Sequence, residues 1–420
     1  MTDALPRRGG AAITFILVTV ALDVMALGLV IPVLPKLVER MAGSTRDAAF
    51  VLGLFGTAWA LMQLIFSPLL GALSDRFGRR PVLLLSSLGL GLDYILMALA
   101  PDLVWLFVGR VVSGIVAATF STATAYIADI TPPEDRAAKF GLIGAAFGVG
   151  FVVGPAIGGL LGSADPRLPF WVAAAASLAS TLYGFFILPE SLPPERRAPF
   201  RWSRANVLGS LRLIAANRTL LGLSSAMFLF NIAHGVFPAV FVLHAGYRFG
   251  WGEGMIGLAL AVFGLLSGLV QGLLIRPAVA RFGERCMMLF GFCSGVVGMT
   301  IFALAPSAAW FWLGYPVLAL WGFIGPSAQG IMTRLVAPDQ QGQLQGAGSS
   351  LMGVASLIAP SLFTGAFALG IDPRRGAPAP GAPYLISAIL VLAAMLLAIR
   401  SLGGWPDHRD GGRSGEGSTP

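Results

Sequence analysis

GALSDRFGRR, residues 71–80, holds four formal charges in ten residues, while residues 50–70 hold none and 81–100 hold only Asp93. A chain that confines its charge to short punctuation between long apolar runs is built for a solvent other than water. Over 420 residues it is 56% hydrophobic and 11% charged, with a mean hydropathy of +0.80, outside the range of a soluble domain. Apolar runs of about 20 residues recur, each long enough as a helix to cross a hydrocarbon core of about 30 Å. Twelve are expected, at 12–34, 49–71, 81–100, 103–128, 139–162, 168–188, 219–243, 254–275, 286–305, 308–333, 343–369 and 383–402. The fold class is therefore an all-α membrane protein.

A net charge of +8 could serve nucleic acid, but the basic residues are scattered among short loops rather than gathered on one face, so no nucleic-acid partner is expected. Topology accounts for them. With the N-terminus in the cytoplasm, 20 Arg and Lys fall on the inner side and seven on the outer side, the positive-inside bias, and an even helix count puts both termini inside. The first apolar run is too long for a cleavable signal peptide and stays as helix 1. Cys286 and Cys293 lie about 10 Å apart along one helix, too far for a disulfide. Residues 404–420, rich in Gly, Ser and Asp, read as a disordered tail.

Residues 189–218, with Pro189, Pro193, Pro194, Pro199 and six arginines, form the longest polar interval and divide the chain into six-helix halves, 1–188 and 219–403. The halves match at a separation of 205 residues. SDRFGRR (74–80) falls on VARFGER (279–285), Pro133 on Pro338, Gly141 on Gly346 and Pro155 on Pro360. Parallel six-helix repeats are a common transporter plan, with the substrate site between them near the midplane.

These features resemble the major facilitator superfamily. GALSDRFGRR is close to a full match to its loop motif between helices 2 and 3, where Gly71 and Gly78 are expected to permit close approach and Arg76, Arg79 and Arg80 to hold the loop inside. The resemblance implies that Asp75 and Arg79 join Asp129, in YIADIT (126–131), in a charge cluster that latches the halves in the outward-facing state. Ala280 replaces the aspartate in the second half, so a symmetrical second latch is not expected. GVGFVVGPAIGG (148–159) is similar to the helix 5 motif of drug/proton antiporters, with Gly150, Gly154, Pro155, Gly158 and Gly159 letting helices approach closely. A dinucleotide loop is excluded there, because no strand precedes it. Within the superfamily the chain most resembles the twelve-helix bacterial tetracycline/proton antiporters, through LDVMALGLVIPVLP (22–35), ALMQLIFSPLLGALSDRFGRRPVLLLS (60–86), LDYILMALA (92–100), GRVVSG (109–114), RFGW (248–251) and QQGQLQG (340–346). That implies alternating access, helices 1, 4, 7 and 10 around the cavity, and the bacterial inner membrane.

Ionisable residues at bilayer depth cost about 2.5–3.5 kcal/mol on insertion scales, so each is a functional candidate. Asp23 sits at the middle of helix 1. Asp93 and Arg110 lie equally deep on adjacent antiparallel helices, roughly 13 Å from the outer mouth, a depth that permits an ion pair. Asp23, Asp93 and Arg110 are the proton-coupling candidates, and burial is expected to raise the Asp23 pKa so that it binds and releases protons. They are also substrate-binding candidates, with the amides Gln63 and Gln271 that the resemblance implies and with Asn231 and His234. His244 and His408 are placed near the surface, and no metal-ligand spacing exists.

The resemblance fails in two places. Gly295 stands where tetracycline antiporters carry a helix 9 aspartate, and Ser267 stands near the position of their helix 8 histidine. The second half thus lacks a membrane-embedded carboxylate. The expected activity is proton-coupled efflux of a small amphipathic molecule, by a monomer embedded in lipid, with no cofactor beyond the coupling proton and a divalent metal only within a chelated substrate. A facilitator or proton symporter for a metabolite, or a non-transporting membrane sensor, stays open. An enzyme is not expected, because no nucleophile-base constellation or cofactor motif is present.

Overall fold

The computed structural model describes residues 5–117, 119–132, 135–197, 213–215, 217–337 and 340–403. The expected tail at 404–420, His408, residues 198–212 of the interdomain interval, Pro133 and Pro338 lie outside the described residues. Among those described, all regular structure is helical, and eleven helical stretches are long and apolar enough to span a bilayer.

In chain order the helices are α1 (Leu5–Val30), α2 (Leu34–Ala42), α3 (Thr45–Phe77), α4 (Arg79–Leu99), α5 (Leu103–Val116), α6 (Thr119–Ile130), α7 (Arg136–Ala164) and α8 (Leu168–Ile187). Then follow α9 (Arg218–His234), α10 (Val236–Phe249), α11 (Glu253–Leu269), α12 (Ile275–Phe282), α13 (Glu284–Leu304), α14 (Ala308–Ala319), α15 (Ile324–Arg334), α16 (Gln341–Gly370) and α17 (Ala382–Ser401). The N-cap residue's own side-chain oxygen caps three of the α-helix starts among the described residues. Ser44 Oγ accepts from the Asp47 amide at 3.1 Å, Asp102 Oδ1 from Val104 at 3.0 Å, and Asn217 Oδ1 from Thr219 at 2.9 Å.

Several expected spans are interrupted. The run at 12–34 stops at Val30, because Pro32 lacks an amide proton and disfavours helical geometry at Ile31; the chain restarts as α2. The run at 103–128 is not one helix. α5 ends at Val116, Ala117 takes ψ 48, and α6 begins at Thr119. Ile115 and Val116 are stiff at χ1, which weakens the helix where α5 ends. A π-turn (Val270–Leu274) lies between α11 and α12, and a 3-10 turn (Leu320–Phe323) between α14 and α15.

The 205-residue register recurs in the helix bounds. α4 and α13 begin and end at corresponding positions, α3 and α12 end at corresponding phenylalanines, α5 and α14 begin together, and α7 and α16 begin together. The 3-10 turn falls at the position of the α5–α6 break. The last helix slips furthest among the described residues, after a longer connection at 371–381.

The described residues form two compact units. The first comprises Met1–Ala205, Phe237–Gly264 and Leu357–Pro380; the second comprises Asn206–Val236, Leu265–Ser356 and Gly381–Pro420. In the first unit Phe15, Ile16, Val20, Val24, Tyr126 and Ile127 form a buried core. Large apolar side chains also point outward, with Phe186 at 74%, Leu160 at 72% and Leu304 at 70% exposure, an arrangement stable only against lipid. The chain is a multi-pass membrane protein.

Candidate functional site

The charged stretch is almost wholly helical. α3 runs to Phe77, Gly78 alone is non-helical at φ +109, and Arg79 opens α4. Arg79 is the hub. Its Nη1 pairs with Asp75 Oδ1 at 2.6 Å and donates to Ser74 Oγ at 2.9 Å, while its Nε donates to Asp129 Oδ2 at 3.0 Å. Ser191 Oγ also donates to Asp129 Oδ2, at 3.2 Å. The Glu190 carboxylate accepts the backbone amides of Arg79 at 2.8 Å, Leu192 at 3.0 Å and Arg80 at 3.3 Å, and so caps α4. Arg80 donates to the Phe185 carbonyl, and Arg76 lies 5.1 Å above the Phe77 ring. Gly78 is required twice, for its positive φ and because a Cβ there would strike the Glu190 carboxylate. Gly71 is not: it lies inside α3 with nothing within 4 Å of an added Cβ, so close approach does not explain it.

On α7 the small residues of the helix 5 motif meet backbone. A Cβ on Gly150 would sit 2.7 Å from the Ala21 carbonyl oxygen, and one on Gly154 would sit 2.6 Å from that of Met25. Gly158 abuts Leu29, Pro155 abuts Gly28, and Gly159 faces Gly257 of α11 with 2.8 Å between the added Cβ and the Gly257 Cα. These residues thus set how closely α7 approaches α1 and α11.

The membrane-depth charges converge in the first unit. Ser87 Oγ of α4 lies 3.5 Å from Asp23 Oδ2 of α1. One helical turn and a half further along α4, Asp93 is 1% exposed and neither of its oxygens has a hydrogen-bond partner among the described residues. Gly109 makes room for it, since a Cβ there would sit 3.1 Å from Asp93 Oδ1. Arg110 directs its Nη2 to Ser113 Oγ at 2.8 Å and its guanidinium toward the Trp59 ring at 6.0 Å. The ion pair that equal depth permits is thus not made at salt-bridge distance, although the charges of Asp93 and Arg110 act on each other. Tyr94, buried next to Asp93 on α4, is within electrostatic reach of Asp23, Asp93 and Arg110.

In the second unit His234 stacks on Trp321 at 4.9 Å, and the Phe230 edge meets Trp321 at 5.6 Å. Gln271 lies in the π-turn, its Cγ 3.8 Å from a Cβ placed on Gly322. His234 and Gln271 are therefore brought to the same 3-10 turn. Gly295 packs beside Trp321 and Val391, and Ser267 is half-buried on α11. Gln63 in the first unit and Asn231 in the second are half-buried. His244 is not near the surface. It is 2% exposed, with Nδ1 3.0 Å from the Pro380 carbonyl oxygen, because α10 carries it inward beside Phe249 and Phe367.

Sequence reading missed Glu190, Ser191, Tyr94 and Trp321. Glu190 sits in the polar run LPES right after a span, and Tyr94 adjoins Asp93, so both were within reach; nothing local marks Trp321.

A family model described as Major Facilitator Superfamily matches residues 15–360. Similar proteins include the class C tetracycline resistance protein of Escherichia coli, 40% identical over 92% of this chain and 96% of that protein. The class G protein of Vibrio anguillarum is 37% identical over 90% and 95%. The fold is shared with the crystal structure of the human organic anion transporter MFSD10 (TETRAN), at 24% identity and a TM-score of 0.68 over 93% of this chain and 99% of that one.

Proposed function

The chain belongs to the Major Facilitator Superfamily, and on that premise we propose that it is a drug efflux antiporter of the tetracycline-resistance type, driven by protons through alternating access. The reading takes twelve transmembrane helices, α5 and α6 together making the fourth, in two six-helix halves at 1–188 and 219–403. Both termini lie in the cytoplasm of a bacterium, the protein sits in the inner membrane as a monomer, and the cargo is a small amphipathic molecule. Its relatives named here are resistance and transport proteins rather than enzymes.

One observation supports the proposal: the Asp93 carboxylate is buried inside an apolar span with neither oxygen hydrogen-bonded among the described residues, within electrostatic reach of Arg110. A buried carboxylate without hydrogen-bond donors is costly in its charged form, and binding a proton relieves that cost. Asp23, more open and touched by Ser87, hands protons to and from this cluster. A protonated cluster releases the cargo outside, and proton loss toward the cytoplasm readies the protein for the next molecule. One proton crossing 100 mV carries about 2.3 kcal/mol, which sustains a roughly fifty-fold cargo gradient at one-for-one exchange. With Gly295 and Ser267 in the second half, a cationic metal-drug complex would meet carboxylate charge only from the first half.

The test uses inverted vesicles loaded with a pH dye and given tetracycline or another amphipathic drug. Drug-driven proton movement is expected from the wild type and is lost in Asp93→Asn and in Asp23→Asn. Unchanged coupled flux in both variants defeats the coupling role, and uptake that follows an inward proton gradient selects a symporter instead.

A further inference from the structure

The repeat register extends to charge. The position 205 residues beyond Arg79 is Glu284, and that beyond Asp129 is Arg334. Arg79 pairs with Asp129 in the first unit, and Glu284 pairs with Arg334 in the second. In both, the first residue of the helix after a positive-φ glycine is tied to the end of a neighbouring helix: α4 after Gly78 to α6, and α13 after Gly283 to α15. The positions are the same and the signs are exchanged. Gly330, one turn before Arg334, leaves room for the second pair, since a Cβ there would sit 2.8 Å from Glu284 Cδ.

The exchange has a physical consequence. A helix N-terminus favours an anion and a C-terminus a cation. Glu284 begins α13 and Arg334 ends α15, so both charges of the second pair agree with their helices. Arg79 begins α4 and Asp129 lies one residue from the end of α6, so both charges of the first pair oppose theirs. The first pair is correspondingly braced by Asp75, Ser74, Ser191 and the Glu190 cap. At the positions of Ser74 and Asp75 the second half carries Val279 and Ala280. A pair aligned with both helices dispenses with that bracing.

We propose that Glu284 and Arg334 form a second, charge-reversed clamp that positions the α12–α13 turn during transport, so that the missing aspartate at Ala280 does not mean a missing latch. The transport half of this inference rests on the reading above; the pairing itself does not. The test compares wild type with Glu284→Arg, Arg334→Glu and the double exchange E284R/R334E, each purified and reconstituted. Thermal midpoint is measured alongside tetracycline transport. Each single variant is expected to lower the midpoint and to reduce the maximal transport rate roughly tenfold, with KM within twofold of wild type. The double exchange is expected to recover most of both losses yet remain below wild type, because its charges now oppose both helices. A double variant no better than the singles overturns the clamp. Singles that lower the midpoint but leave the maximal rate intact overturn its role in transport. If the wild type moves no tetracycline, the transport reading fails for that drug and the midpoint cycle still decides whether the clamp exists.

Discussion

Two glycines on α7, six residues apart in one motif, make opposite predictions. An added Cβ at Gly154 would meet the Met25 carbonyl oxygen at 2.6 Å and the Gly28 Cα at 2.8 Å, whereas one at Gly148 would meet nothing within 4 Å. Ordinary contact begins near 3.4 Å. Gly154→Ala must therefore push α1 and α7 apart by about 0.6–0.8 Å, against backbone that cannot swing aside, at a cost of about 1–3 kcal/mol. Both variants gain the same helix propensity, about 0.5–1 kcal/mol for Ala over Gly. Propensity cancels in the difference, leaving Gly154→Ala less stable than Gly148→Ala by about 1–3 kcal/mol, or roughly 5–150-fold in the folding equilibrium. The assay is thermal unfolding of both purified variants in the same detergent, with drug resistance of the expressing cells in parallel. Gly148→Ala is expected at or slightly above the wild-type midpoint with full resistance, and Gly154→Ala below it with reduced resistance. Equal midpoints would refute the claim that close α1–α7 approach explains the motif.

Two further outcomes are expected. Gly78→Ala forces a side chain into positive φ and against the Glu190 cap, so it should cost about 1–3 kcal/mol and lower resistance; Gly71→Ala, in open space on α3, should not, and expression with resistance titres separates the two. In the first unit, Arg40→Ala removes a pair with Glu253 whose arginine is 59% exposed and should cost under about 1 kcal/mol, by thermal midpoint. Asp372→Ala removes a 7% exposed carboxylate that pairs with Arg46 at 3.0 Å and caps Arg374 at 3.1 Å, so it should cost more, about 1–3 kcal/mol.

Hydropathy and charge placement were enough to read a helical membrane protein and to set Asp23, Asp93 and Arg110 well inside apolar runs, while the Arg79–Asp129 partnership was implied by the family resemblance of GALSDRFGRR and YIADIT and is made in the structure. Hydropathy and charge placement are one-dimensional properties: a run long enough to span lipid, a loop rich in arginine, a carboxylate far from either helix end. Hydropathy does not register the breaks at Ile31 and Ala117 or the turns at 270–274 and 320–323, since a broken and an unbroken apolar run have the same hydropathy, although Pro32 marks the first of them. Partner choice was decided only in three dimensions. Helix rotation turned Arg110 toward Ser113 and Trp59 rather than onto Asp93, carried His244 inward to Pro380, and brought Glu190 over the start of α4. The sequence alone showed a missing aspartate at Ala280, and packing joined Glu284 of α13 to Arg334 of α15 in the register of Arg79 and Asp129, because an ion pair needs two complementary charges at contact and forms with either helix supplying either sign.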